Sequence, residues 1–281
     1  MTGNIPITKT YKLFIDGAFP RSESGRTFSV VNPQGELIAN ASQASRKDLR
    51  EAVRAARSAQ NTWASRTAYN RGQILYRVAE MIESRKAEFL DLLKSGGVNS
   101  RTATREVEES IQRWVWYAGW SDKYSQIIGS VNPVSGPYFN FTVPEPTGVV
   151  GIVPPSEPSL LGLVSRLVPA IVSGNTAVVI SEGHSSLTAI TIGEVLATSD
   201  VPPGVVNILT GDQTDLSPWI IGHLDVNAVD ISGINQDVDL TILEEASSNV
   251  KRLVSRKVDE ESLELISDFL EMKTVWHPIG R

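Results

Sequence analysis

Residues 149–153 read Val149-Val150-Gly151-Ile152-Val153, an unbroken apolar run of strand length. A strand without polar alternation is buried on both faces, as in a parallel sheet covered by helices. The sequence on either side repeats that unit. An apolar helical stretch follows over 160–172, then the turn Gly174-Asn175-Thr176 and a second buried strand, Ala177-Val178-Val179-Ile180. Another helix is predicted over 187–196. A third strand lies at Val205-Val206-Asn207-Ile208-Leu209, closed by Thr210-Gly211-Asp212. A short helix over 219–224 leads to a fourth strand, Val229-Asp230-Ile231-Ser232-Gly233. Strands alternating with helices predict an α/β fold with a doubly wound, Rossmann-like parallel sheet. Ligands of such sheets sit beyond the C-terminal strand ends. That places the loops 154–158, 181–186, 211–215 and 233–237 around any site. Neither GxGxxG nor GxxxxGK[ST] occurs, so the two common phosphate fingerprints are absent.

Towards the N-terminus, Lys12 to Phe14 leads into the tight-turn signal Asp16-Gly17. Thr27-Phe28-Ser29-Val30-Val31, stopped by Asn32-Pro33, completes a pair of short edge strands. Ser45 precedes Asp48 by three residues, an acidic capping box. Leu49, Ala52, Val53, Ala56, Gln60 and Trp63 then follow helical spacing, with Arg50, Glu51, Arg54 and Arg57 opposite. A second helix is predicted over 69–94, ended by Gly96-Gly97. A third, over 102–124, carries Trp114, Trp116, Tyr117 and Trp120, which read as packing aromatics. Glu106, Glu108 and Glu109 read as its solvated face. Ile127-Ile128 and residues 138–143 are strand-like, and Pro133 and Pro137 punctuate them as a protruding hairpin.

The 281 residues are 41% hydrophobic and 21% charged, with a net charge of −6. No basic excess favours nucleic acid. No apolar run reaches membrane-spanning length. With no basic and apolar leader, a cytoplasmic protein is expected. There are no cysteines, which excludes disulfides, thiolate metal sites and a cysteine nucleophile within these residues. The three histidines, His184, His223 and His277, lie far apart, and no metal site is expected. Ser156, His184 and Asp212 are the residue types of a nucleophile relay, but no spacing requires one.

In order and spacing, several short motifs resemble the NAD(P)-dependent aldehyde dehydrogenase superfamily over about residues 11–251. These are Phe14-Ile15-Asp16-Gly17, Val31-Asn32-Pro33, and Pro146-Thr147-Gly148-Val149-Val150-Gly151-Ile152. Pro169-Ala170 with Gly174-Asn175-Thr176, and Pro202-Pro203-Gly204-Val205-Val206-Asn207 with Thr210-Gly211, complete the set. The resemblance implies aldehyde oxidation through a cysteine thiohemiacetal, hydride transfer to NAD or NADP, and a glutamate base.

The departures bear on that activity. In the family's P-W-N-F-P the Asn holds the oxyanion; here the stretch is Pro154-Pro155-Ser156-Glu157-Pro158, with Ser156 at the Asn position. The family's K-P-[AS]-E reads Ser181-Glu182-Gly183-His184, without the ribose-binding Lys. Its F-T-G-S reads Ile231-Ser232-Gly233-Ile234, where Gly233 survives with backbone amides suited to a phosphate. Ser181, Glu182, Gly211, Ser232 and Gly233 are therefore the candidate dinucleotide positions, and the missing Lys weighs against binding. The E-L-G-G-K base motif is replaced by Leu253-Val254-Ser255-Arg256-Lys257.

Residues 268–276, ending Lys273-Thr274-Val275-Trp276, resemble the family's C-terminal oligomerisation strand, with a short helix over 260–266 leading to it. The expected organisation is a dinucleotide-type unit (1–124 and 147–256), an oligomerisation hairpin and strand (125–146 and 257–281), and no catalytic domain. It is similar to the degenerate second module of two-module aldehyde dehydrogenases. In the family this strand extends a mate's catalytic sheet. A homodimer would have no such sheet and would leave Val275 and Trp276 in water. The expected partner is a full-length aldehyde dehydrogenase, joined through Lys273, Thr274, Val275 and Trp276 by strand addition. The alternative is a subunit that binds NAD(P) and takes part in aldehyde oxidation.

Overall fold

The structure, a computed structural model, describes residues 8–234, 244, 246, 247, 249–256 and 261–280. Residues 235–237 of the last predicted loop, Lys257, and Glu260 at the start of the predicted bridging helix lie outside the described residues. Strands β1 (Thr10–Tyr11) and β2 (Thr27–Val31) flank β3 (Leu37–Ser42) in a three-stranded sheet. The predicted turn is present: Asp16 and Gly17 both take positive φ, and Ile15 bridges Ala18.

Helix α1 (Arg46–Ala64) starts at the predicted capping box. The Asp48 amide donates to Ser45 Oγ, and the Ser45 amide donates to Asp48 Oδ2 at 2.8 Å. The predicted helix over 69–94 is two helices, α2 (Ala68–Ser84) and α3 (Lys86–Ser95). The break at Arg85 lets its guanidinium bridge Glu88 and Glu194. Helix α4 (Ser100–Trp120) buries Trp114 and Tyr117 as packing residues. Ile127-Ile128 is not strand. It ends α5 (Tyr124–Ile128), a single helical turn closed by the Gly129 amide on Ser125. The predicted hairpin follows as β4 (Ser130–Asn132) and β5 (Tyr138–Pro146).

The strand–helix repeat then proceeds as read: β6 (Val149–Ile152), α6 (Ser159–Val172), β7 (Thr176–Ser181), α7 (Ser185–Leu196), β8 (Val206–Thr210), α8 (Gln213–Gly222) and β9 (Ala228–Asp230). A further strand, β10 (Arg252–Val254), precedes α9 (Leu263–Ser267) and β11 (Leu270–Pro278). The main sheet is wholly parallel in the order β10-β9-β6-β7-β8. Every residue of β6, β7 and β8 is buried, which is why their sequences carry no alternation. Helices α1 and α8 pack with one apolar cluster, and α4, α6 and α7 with the other. Strand order runs outward from β6 in both directions, so the reversal point lies between β6 and β9.

Candidate functional site

The loops after β6, β7 and β8 enclose a cleft of about 520 Å³. Ser156, Glu182, Gly211, His184 and Asp212 line it, so the sheet brings those sequence-predicted positions together. Ser181, at the end of β7, is buried and its Oγ lies 3.0 Å from Ser185 Oγ. Ser156 Oγ donates to Glu182 Oε1 at 3.4 Å, so the hydroxyl at the family's oxyanion position is turned towards a carboxylate. The second Glu182 oxygen accepts the Gln213 amide at the head of α8 at 3.1 Å. Beneath it the Gln213 side chain donates to Pro154 O at 3.1 Å and Ile180 O at 3.0 Å, spanning the ends of β6 and β7.

The nucleophile relay does not form. His184 Nε2 lies 3.2 Å from Ser95 Oγ, its ring stacks against Gly96, and burial pushes its pKa down. Asp212 instead caps α8, accepting the Thr214 amide at 2.7 Å.

Ser232 and Gly233 lie apart from that lining, on the far side of the reversal point. The Gly233 amide donates to Val153 O at 2.9 Å, and an added Cβ would collide with the Pro154 carbonyl. The glycine is thus required by the close approach of two loops. The Ser232 amide donates to Asp230 Oδ1 at 2.9 Å. Asp230 is 1% exposed; burial pushes its pKa up, against the opposing charge of Arg166 at 3.8 Å.

A second surface is built by β11. It pairs antiparallel with β5 over nine residues, Leu270↔Pro146 to Pro278↔Tyr138. The strand is therefore not a lone arm, and one of its two backbone edges is satisfied within the chain. The Thr147 amide donates to Phe269 O at 3.1 Å and the Ile279 amide to Pro137 O at 2.8 Å, bracketing the ladder. Groups facing the partner alternate along such a ladder. Residues 271, 273, 275 and 277 thus face β5, while the amides of Met272, Thr274 and Trp276 point away. Among the described residues that outer edge pairs with no strand. Its root is held, where Arg252 Nη1 donates to Leu270 O at 2.8 Å. Met272 is 47% exposed and Trp276 58%.

Sequence reading missed Glu106. It is not on a solvated face; it is 4% exposed and accepts the amides of Leu160 and Leu161 at the head of α6. Burial pushes its pKa up. Its position among Ala103, Val107, Ser110 and Ile111 on one helical face was the available signal.

A parallel sheet wound in both directions, with a cleft above its strand ends, defines a Rossmann-like α/β class. Residues 19–256 match the Aldehyde dehydrogenase family, and the chain belongs to it. It is 36% identical over 259 residues to Retinal dehydrogenase 2 of Gallus gallus, covering 90% of this chain and 49% of that protein. It is 34% identical over 256 residues to Aldehyde dehydrogenase, cytosolic 1 of Elephantulus edwardii, covering 89% and 50%. The NAD+ complex of the aldehyde dehydrogenase from Bacillus cereus superposes with a TM-score of 0.80 at 28% identity, covering 87% of this chain and 50% of that one. The chain spans about half the length of the curated relatives it matches.

The family implies NAD or NADP. The cleft lining includes the carboxylates Glu157, Glu182 and Asp212 and, among the described residues, no Lys or Arg. That lining offers a diphosphate no cation, while its carboxylates are acceptors for hydroxyl groups such as those of a ribose. No group of three metal-ligating side chains occurs among the described residues, and none of their helices is long and apolar enough to cross a membrane.

Proposed function

We propose that this chain is a non-catalytic aldehyde dehydrogenase-family subunit that docks on a full-length NAD(P)-dependent aldehyde dehydrogenase and stabilises or regulates it. The observation that carries this reading is the outer edge of β11. Three amides and their neighbouring carbonyls are aligned along it, flanked by exposed Met272 and Trp276. Such an edge is an aggregation hazard when left open and a docking element when a sheet receives it. The family's full-length members provide a receiving sheet; this chain passes from β10 to β11 through residues 255–269 alone, a segment too short for a second sheet. Thiohemiacetal chemistry needs a thiolate, and the 281 residues contain no cysteine. The Ser156 hydroxyl, which donates to a Glu182 carboxylate already engaged by the Gln213 amide, supplies no thiolate in its place.

The test is co-expression of the chain with each full-length aldehyde dehydrogenase of the same genome, followed by native mass spectrometry. A hetero-assembly of fixed stoichiometry is expected. A chain that stays alone, or that pairs only with itself, overturns the proposal.

A further inference from the structure

We propose that the groove where α1 meets the end of α8 binds a phosphate monoester that carries a planar ring, a ligand of the mononucleotide class. Arg46 and Arg50 hold the oxyanion, and Trp219 backs the ring. The inference does not rest on docking through β11.

The groove has a volume of about 680 Å³, within the size range of small-molecule sites. Among the described residues it shares no lining residue with the cleft above the strand ends. Its apolar lining is buried Leu49 and the exposed indole of Trp219. Arg46 Cζ lies 3.2 Å from the centre of that ring. A guanidinium stacked on an aromatic face keeps its N–H fork in plane, where it suits a bidentate oxyanion. Among the described residues the Arg46 fork meets no carboxylate and no hydrogen-bond acceptor.

Arg50 stands four residues further along α1, on the same helical face, and lines the same groove. Its carboxylate partner, Glu51, is 3.8 Å away and also engages Arg54. An exposed pair at that distance holds the charge weakly. Lys47 is committed: it donates to Glu23 Oε2 at 3.4 Å, while Glu23 Oε1 accepts Ser45 Oγ at 3.1 Å. Glu23 thus leaves two arginines as the groove's open charge.

Those charges stand where the helix disfavours them. Arg46, Lys47 and Arg50 fall within the first five residues of α1, at the positive end of its dipole. The helix amides themselves make no site, because Ser45 and Asp48 close the capping box. The case rests on side chains: two guanidinia beside an open indole. A phosphate monoester carries close to two negative charges and can meet both arginines, where a carboxylate carries one. A planar ring can lie on the guanidinium plane or on the remaining indole surface. His223 adds a neutral donor to the lining: its Nδ1 accepts the Asp225 amide at 3.2 Å, which leaves the proton on Nε2.

The test titrates the full chain with uridine 5′-monophosphate. Uridine is the ring-only control and inorganic phosphate the anion-only control. Calorimetry and indole fluorescence follow binding. Saturation below about 1 mM at low salt is expected, with affinity falling as salt rises. Both controls should bind at least tenfold more weakly. Arg46→Gln and Arg50→Gln should each weaken the nucleotide at least tenfold, and Trp219→Phe should remove the fluorescence change. Glu182→Gln, in the other cleft, should alter nothing. Absence of saturation, folded arginine variants of unchanged affinity, inorganic phosphate binding as tightly as the nucleotide, or loss of binding in Glu182→Gln would each overturn the proposal. A second measurement serves if an arginine variant does not fold. Phenylglyoxal labelling of the unmodified chain, mapped by mass spectrometry, should show Arg46 and Arg50 protected by the nucleotide and Arg54 unprotected. Equal labelling with and without nucleotide overturns it. These readouts use the chain alone, so failure here is distinguishable from failure of hetero-assembly.

Discussion

The carboxylate of Glu106 accepts the backbone N–H of Leu160 at 2.7 Å, so a side chain of α4 caps the first turn of α6. Helix α6 needs this because Pro158, its own N-cap residue, makes no side-chain capping bond. Two of the helices packed on that side of the parallel sheet, α4 and α6, are thus joined at the point where the loop after β6 enters α6.

Glu106→Ala leaves the Leu160 and Leu161 amides without this acceptor in a dry site, a loss of about 2 kcal/mol. Glu106→Gln keeps an acceptor and should lose less. Burial raises the folded-state pKa above the ordinary glutamate value of 4.5, so the folded chain holds the proton more tightly than the unfolded one. Wild-type stability should therefore fall as pH rises from below 4.5 through the folded-state pKa, and Glu106→Gln should lack that slope. Urea unfolding across acid pH measures both effects; an identical slope in the variant would sink the assignment.

Lys251 carries a shift of the opposite kind. Its ammonium donates at 2.6 Å to both His223 O and Val226 O, and burial depresses its pKa to about 8. Between about 8 and 10.5 the unfolded chain binds more protons, so stability should rise with pH across that window. Lys251→Met should abolish the rise and cost about 2 kcal/mol at neutral pH by stranding two carbonyls. Melts at both ends of the window check it.

On β11, neighbouring prolines should have opposite consequences. The Thr274 amide points away from β5, so Thr274→Pro spares the internal ladder and removes a donor from the docking edge. Val275→Pro removes a ladder bond to β5 instead. Thr274→Pro is expected to melt within a few degrees of wild type yet lose hetero-assembly, while Val275→Pro should lower the melting temperature. Assembly that survives Thr274→Pro would place the contact elsewhere.

Asn175 ties three segments together. Its Nδ2 donates to Ala170 O and Phe269 O at 2.9 Å, and its Oδ1 accepts the Gly148 amide at 2.7 Å. Asn175→Ala should cost about 3 kcal/mol, with the loss measured by denaturant melts and by faster amide exchange at residue 148.

The parallel strands were legible because burial on both faces leaves a plain signature in β6, β7 and β8, and α1 announced itself through Ser45 and Asp48. What escaped was set by distant packing. Ile127 and Ile128 have strand propensity, but Gly129 closes a helical turn on Ser125 and overrides it. Arg85 interrupts a continuous helical pattern to meet Glu194, more than a hundred residues away in sequence. Strand β10 is three residues long and gains its place only by lying beside β9. At the cleft, residue types pointed to the lining, while the Glu182 bridge to Gln213 depends on how β7 and α8 meet.

Strand β5 runs through Thr147 into β6, and Asn175 holds the first turn into β11 from the other side. The three-stranded sheet is thus a cantilever clamped at two points of the main sheet, not a tether. Any molecule seated along its rim would be held at one bearing to the parallel strands, and a load on that rim would pass directly into β6 and β7.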